Sequence, residues 1–127
     1  MARKKRNLPA VSWLEAPEDH NYPAARSYLS LIFPERDAGR FVIALRRAKL
    51  GHFKSKDIFR ASGLSLLGVS NEHVETDRDK IRRGKKLSPL LLVRDAAGGK
   101  VIVADGYHRL CAVYSFDEDA VIPCKIV

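Results

Sequence analysis

The residue types best suited to chemistry occur in an Asp-Gly-Tyr-His-Arg run that begins at Asp105. Residues 101–104 before it are apolar and mostly β-branched, which predicts a buried strand. The Asp-Gly pair predicts a turn, because Gly106 accepts a positive φ. His108 and Arg109 then fall in the first turn of a helix, where backbone N–H groups are unpaired and the helix dipole is positive. This arrangement is typical of a phosphate cradle, although an ordinary strand-to-helix turn with solvated His and Arg side chains fits the same pattern.

Each side chain of this run has a chemical and a structural interpretation. Asp105 could hold a metal or orient His108, or it could accept hydrogen bonds within an Asx turn. Tyr107 could stack on a nucleotide base or close a pocket, or it could pack into the core. We take Asp105 and His108 as candidate catalytic residues, and Gly106, Tyr107, His108 and Arg109 as candidate nucleotide-binding residues.

Further catalytic groups are sparse in the sequence. Glu72 and Glu75 begin a predicted helix and could face the same site, but the helix dipole favours Glu there in any case. His108 and Cys111 have a spacing that two ligands on one helix can use, yet a structural zinc site needs four ligands. We therefore predict no metal-ligand set, and no nucleophile-elbow motif is present.

The composition predicts a single compact domain. The chain has 127 residues, of which 46% are apolar and 30% charged, values that are ordinary for a globular protein. It has neither a membrane-length apolar run nor an apolar signal region. Cys111 and Cys124 fall inside predicted regular elements, as reduced core thiols do. We expect no membrane association and a cytoplasmic location.

The net charge of +8 indicates an anionic partner. Residues 1–7 form a basic tail without periodicity, which predicts disorder. Residues 78–86 hold six basic residues and one aspartate, and a third basic cluster runs from Arg40 to Arg60. Two predicted helices in that third cluster, at 35–50 and 56–62, have a tight connection, as in a helix-turn-helix. DNA binding through the tail and these helices is therefore an alternative to nucleotide binding.

The hydrophobic periodicity predicts an α+β fold. A first helix would begin at Asn21, carry Tyr28, Leu31 and Ile32 and stop at Pro34. The chain divides into the tail (1–7), a helical N-terminal segment (8–63) and a β-α-β-β-α-β unit (64–127), which together form one compact unit. The elements predicted in the last part are strand 64–69, helix 72–83, strand 89–93, hairpin connection 95–100, strand 101–104, a helix from 107 and strand 120–127.

From about Leu66 onward the chain resembles the ParB/sulfiredoxin superfamily. The resemblance is carried by residues 81–82, the loop 84–88 leading into 89–93, the glycines at 98–99, the run 105–109 and the closing segment 122–127. It implies a nucleotide-binding fold in which His108 and Arg109 hold phosphate, assisted by Lys86 and Ser88. The implied ligand is a nucleoside phosphate, ATP, ADP or CTP, with or without Mg²⁺.

Some residues of the chain differ from the superfamily motifs, and these differences limit the activities that the resemblance implies. Tyr107 stands where sulfiredoxins have their catalytic cysteine, and Cys111 is one helical turn later, so we predict that the chain is not a sulfiredoxin. His108 stands where partition proteins have the first Arg of a Gly-Glu-Arg-Arg turn. Archaeal serine-kinase relatives have Asp-Gly-His-His-Arg, which differs here only at Tyr107. The whole chain also resembles a bacterial family without an assigned activity, including residues 20–25 and 56–63.

Two functions remain open at this point. The first is a nucleotide-binding protein that acts as an ATP- or ADP-dependent phosphotransferase or as a nucleotide hydrolase. The second is a DNA-binding, partition or regulatory module without catalysis.

Overall fold

The computed structural model describes residues 9–68 and 70–127. The predicted tail, residues 1–7, lies outside them. The elements in chain order are β1 (Ser12–Trp13), α1 (Asn21–Leu29), α2 (Glu35–Arg47), β2 (Leu50–Lys54), α3 (Ser55–Ser62), α4 (Glu72–Arg82), β3 (Lys86–Leu87), β4 (Leu90–Asp95), β5 (Lys100–Asp105), α5 (Tyr107–Phe116) and β6 (Val121–Ile126). The chain is therefore α+β, as predicted.

A four-stranded sheet of order β2-β6-β4-β5 lies at the centre. β4 and β6 are parallel and the other neighbouring pairs are antiparallel, while β1 and β3 form a separate parallel pair. Successive side chains of a strand point to opposite faces. Leu91 and Val93 accordingly pack with α1 and α2, whereas Leu90 and Leu92 pack with α3, α4 and α5. The sheet thus separates two helical layers, each with its own apolar core.

The prediction of a strand over residues 64–69, as the first strand of the β-α-β-β-α-β unit, is wrong. Residues 64–68 have no regular structure, and position 69 is outside the described residues. The strand that joins the sheet is β2, which pairs with β6 along its length. The helix predicted over 35–50 ends at Arg47 because Ala48 is extended, with φ −68° and ψ 149°. Gly51, predicted to end that helix, is in β2.

The presence of β2 also contradicts the predicted helix-turn-helix. β2 lies between α2 and α3, so the tight connection predicted between them is absent. α1 is shorter than predicted: it ends at Leu29, and Tyr28, Leu31 and Ile32 are exposed. Residues 8–63 contribute a strand to the same sheet as residues 64–127, and the division into these two segments remains a prediction.

The remaining predicted elements of the C-terminal half are present, with small differences in their bounds. Val74 and Ile81 of α4 are buried, as expected, and the Asn71 side chain caps this helix by accepting hydrogen bonds from two of its N–H groups. Both cysteines are free and buried. Over the described residues, the structure contains no helix whose length and apolarity would suffice to span a bilayer.

Candidate functional site

The start of α5 and one side of α4 enclose a cleft of about 260 Å³. We call it the α4–α5 cleft. Its walls combine four polar side chains of α4 with the run that ends β5 and begins α5. The lining residues are His73, Thr76, Asp77, Lys80, Asp105, Gly106, Tyr107, His108 and Arg109. Most residues of the sequence-predicted site therefore lie together, and α4 adds groups that the sequence analysis did not select.

Gly106 makes the turn into α5 sterically feasible. Its φ is +110°, in a region that residues with a Cβ rarely adopt. A Cβ at this position would lie 2.7 Å from Leu90 Cγ and 2.9 Å from Arg109 Nη2. The helix that follows has no side-chain cap and no acidic residue in its first turn. Its positive end therefore faces the cleft without an acidic side chain of the first turn to neutralise it.

Arg109 is held in place by two acceptors. Its Nη2 lies 2.9 Å from Asp105 Oδ2 and 3.4 Å from the carbonyl oxygen of Pro89. Its Nε is buried and has no hydrogen-bond partner among the described residues. Asp105 therefore positions Arg109, a role that differs from the three predicted for it: holding a metal, orienting His108 or accepting hydrogen bonds within an Asx turn.

His108 lies beside a second histidine that comes from α4. The ring centroids of His73 and His108 are 4.9 Å apart. Burial lowers the pKa of His108, the neighbouring His73 and Arg109 lower it further, and Asp77 opposes this shift. His108 is consequently neutral near pH 7 and able to accept a proton or a hydrogen bond.

Asp77 is the carboxylate in the cleft that sequence reasoning missed. Its side chain is 13% exposed and lies 3.9 Å from Lys80 Nζ. Burial raises the pKa of Asp77, although Lys80, Arg109 and both histidines act in the opposite direction. The available signal was a polar stripe on α4, since residues 73, 76, 77 and 80 have the i, i+3, i+4, i+7 spacing of one helix face.

The two glutamates considered in the sequence analysis lie elsewhere. Glu75 forms ion pairs of 3.2 Å with both Arg78 and Arg82. Glu72 and Glu75 line a different depression, with Ser70, Thr76 and Asp79. Neither glutamate is among the residues that line the α4–α5 cleft.

Tyr107 lies between the cleft and the apolar core, and stacking of its ring on a base remains a prediction. Its ring lines the cleft and packs against the apolar core, and its centroid is 5.7 Å from that of His108. Its hydroxyl donates a hydrogen bond to the carbonyl oxygen of Ser65, and burial raises its pKa. Tyr107 thus anchors the irregular segment 64–68 to the start of α5 and closes one side of the cleft.

Lys86 and Ser88 are not brought to the cleft. Ser88 is buried, where its hydroxyl donates to Asn21 Oδ1 and accepts from the backbone N–H of Glu18 at 3.1 Å. Lys86 is an exposed residue of β3, in register with Ser12 of β1. Ser88 supports the packing of the N-terminal segment, a role that its position in the sequence did not indicate.

The cleft combines cationic groups, a neutral imidazole and a shielded carboxylate. Over the described residues, no three His, Cys, Asp or Glu side chains are grouped so that they could hold a metal ion. The arrangement can neutralise an anion and transfer a proton beside it.

Comparison of the chain with protein-family models, with curated proteins and with solved structures finds no match.

Proposed function

We propose that the α4–α5 cleft binds the phosphate groups of a nucleoside phosphate: ATP, ADP or CTP. The observation that carries the proposal is the uncapped start of α5, which lines one cleft together with His108 and Arg109. Backbone N–H groups at a helix start bind phosphate oxygens well, and a guanidinium adds charge-assisted hydrogen bonds. A phosphate group would supply the negative charge that the first turn of α5 lacks.

The carboxylates of the cleft are compatible with an anionic ligand. Asp105 is already paired with Arg109. Asp77 has a raised pKa because of burial, and Lys80 Nζ lies 3.9 Å from its carboxylate. Each carboxylate of the cleft thus has a cation beside it, and the unpaired N–H groups at the start of α5 supply the attraction for an anion.

The size of the cleft limits how much of the ligand it encloses. Pockets that enclose a drug-sized molecule measure about 300–1,000 Å³, and this cleft measures about 260 Å³. It accommodates phosphate groups and part of a sugar, with the base at the rim beside Tyr107. Mg²⁺ would arrive with the nucleotide, as it does where substrate phosphates supply several of its ligands.

The reaction class that suits these groups is phosphoryl transfer to a hydroxyl or to water. Attack on the terminal phosphorus forms one O–P bond and breaks another, and the nucleophile releases a proton. Asp77 is the proton acceptor, because its raised pKa makes it a stronger base than an ordinary aspartate. Arg109 and the first N–H groups of α5 stabilise the charge on the phosphoryl oxygens.

The finer fold assignment is part of the same proposal. The succession of β4, a hairpin, β5, Gly106, α5 and β6 supports a ParB/sulfiredoxin-like core, in which β2 supplies the first strand. Tyr107 at the position of the sulfiredoxin thiol argues against reduction of sulfinic acids.

A ligand screen read by thermal unfolding tests the proposal. ATP, ADP, CTP and inorganic phosphate are each added at millimolar concentration, with and without Mg²⁺. A nucleotide at 100 times its Kd stabilises the folded state by about 2.7 kcal/mol, which raises Tm by several degrees for a domain of this size.

Matched variants identify the site. Arg109→Ala and His108→Ala are expected to abolish the shift, whereas Arg94→Ala, an exposed arginine of β4, should retain it. His108→Ala leaves the Arg109–Asp105 ion pair in place, so it tests the site even if Arg109→Ala unfolds. Absence of a shift with every nucleotide, or an undiminished shift in both cleft variants, would overturn the proposal.

A further inference from the structure

A second basic feature lies on the opposite face of the sheet from the α4–α5 cleft. α1 and α2 form an open groove of about 670 Å³ between them, which we call the α1–α2 groove. Four arginines line it: Arg26 from α1, and Arg36, Arg40 and Arg46 from α2. The proposed nucleotide site does not use any of these residues.

The positive charge of the groove is only partly compensated. Arg26 pairs with Glu35 at 2.8 Å and Arg40 pairs with Asp37 at 2.7 Å, but both arginines are more than half exposed. Such exposed pairs contribute little to stability and exchange readily with other anions. Arg36 has no ion pair within the described part of the chain.

The basic surface continues beyond the end of α2. The guanidinium of Arg46 lies 4.3 Å from the centroid of the Tyr22 ring. The carbonyl oxygen of Arg46 accepts a hydrogen bond of 2.9 Å from Lys125 Nζ of β6. Cationic side chains therefore extend from α2, a helix about 20 Å long, onto β6, an inner strand of the sheet.

The chemistry of the groove favours a double-stranded nucleic acid over other anionic partners. Arginine binds phosphate oxygens in a bidentate manner. Single-strand sites usually provide aromatic platforms for bases, and the groove lining contains no aromatic residue. Protein interfaces centre on buried aromatic or apolar anchors, whereas the only large apolar side chain exposed in this lining is Ile43.

We propose that the α1–α2 groove binds the phosphate backbone of duplex DNA without regard to sequence. The contacts are to phosphate oxygens, made by Arg36, Arg40 and Arg46 with Arg26 at the rim. Because the helix-turn-helix connection is absent, binding needs no recognition helix inserted in the major groove.

Fluorescence anisotropy with a labelled 24-base-pair duplex of arbitrary sequence tests this proposal on the full chain. Four phosphate contacts predict a slope of about −3.6 in a plot of log K against log salt, or roughly a 100-fold loss of affinity between 50 and 200 mM salt. Arg36→Ala/Arg40→Ala should make the slope less steep by about 1.8. Since both side chains are exposed, this variant should unfold at nearly the wild-type urea concentration.

A charge-matched control distinguishes DNA binding by the groove from attraction to the net charge of +8. Arg94→Ala/Lys100→Ala removes two exposed cations from the β4–β5 hairpin and should retain the wild-type slope. His108→Ala, which is expected to abolish the nucleotide shift, should also retain this slope, so failure of the nucleotide proposal and failure of this one are distinguishable. Equal weakening in both double variants, tighter binding of the single strand than of the duplex, or displacement of the duplex by an equal concentration of a poly-glutamate peptide would overturn the proposal.

Discussion

Arg109 and Asp105 are joined across the strand-to-helix turn at Gly106, with Arg109 Nη2 2.9 Å from Asp105 Oδ2. The two side chains are 17% and 16% exposed. Because Asp105 ends β5 and Arg109 is in the first turn of α5, the pair fastens the strand to the helix. The same Nη2 donates to the carbonyl oxygen of Pro89, just before β4. One guanidinium thus fixes the corner of the fold that shapes the α4–α5 cleft.

Removing one partner of this pair is expected to be costly. Arg109→Met should lower the free energy of unfolding by roughly 2–4 kcal/mol, because it leaves the Asp105 carboxylate mostly buried without its cation. Asp105→Asn/Arg109→Met should be less destabilised than the sum of the two single variants. Urea unfolding of the four proteins measures this coupling. Strict additivity would mean that the ion pair does not fix the corner.

Gly106→Ala is expected to be more destabilising than the same change at another glycine with positive φ. Gly63, after α3, has φ +66° and would place a Cβ in open space, so Gly63→Ala should cost about 1 kcal/mol. Gly106→Ala adds a collision with Leu90 and should cost roughly 3 kcal/mol in total. Thermal or urea unfolding compares the two variants. Equal costs would show that Leu90 and Arg109 yield without strain.

The parts of the fold that local sequence determines were predicted correctly. The β4–β5 hairpin, the turn at Gly106 and the start of α5 are formed by residues close together in the chain. β2 was missed because its pairing with β6 joins segments about 70 residues apart, as Leu50 and Lys125 show. Residues 64–68 misled the prediction because an apolar run resembles a strand even where it has no partner strand.

The candidate site likewise contains residues that the sequence could reveal and residues that only the fold brings together. Asp105, His108 and Arg109 share one short run, so their types and spacing indicated a cleft before the fold was known. His73 and Asp77 reach it only because α4 packs against α5, and sequence separation hides that contact. Ser88 was assigned to the site by resemblance, but the position of Asn21 in the fold determines its actual contact.

The pH dependence of the free energy of unfolding should reflect the protonation of His108. Burial lowers the pKa of His108, so the folded state binds its proton less tightly than the unfolded chain does. At a pH above about 6.5, the pKa of histidine in the unfolded chain, His108 is neutral in both states and does not lower stability. As the pH falls below this value, the unfolded chain takes up the proton first and stability is lost. Urea unfolding from pH 8 to pH 5 should show this loss in the wild type and a smaller loss in His108→Gln. His52→Gln, at an exposed histidine of β2, serves as the control, and an unchanged profile in His108→Gln would contradict the assignment.

Ser88→Ala should affect stability and leave ligand binding intact. The substitution removes the buried hydroxyl that donates to Asn21 Oδ1 and accepts from the Glu18 N–H, although these two groups stay bonded to each other at 3.1 Å. A cost of about 0.5–1.5 kcal/mol is expected for each hydrogen bond lost in this way. The nucleotide Kd, measured by titration calorimetry, should stay within twofold of the wild type. A large increase in Kd with unchanged stability would place Ser88 in the ligand site after all.

Asp77→Asn should stabilise the protein at neutral pH. Burial raises the pKa of Asp77, so the folded state binds this proton more tightly than the unfolded chain, whose value is about 3.9. The resulting penalty is absent below the unfolded value and develops as the pH rises through the folded one. Asn has no charge to desolvate, so the gain in unfolding free energy should be present at pH 7 and vanish near pH 3.

The same substitution tests whether Asp77 accepts a proton. If it does, release of phosphate from ATP should fall roughly 100-fold or more, while the nucleotide Kd stays the same or improves because a negative charge has been removed. Asp79→Asn is the matched control, since Asp79 is on α4 outside the cleft and pairs with Arg83 at 3.0 Å. A stabilised Asp77→Asn protein with undiminished phosphate release would leave Asp77 as a buried polar residue of α4 that has no part in proton transfer.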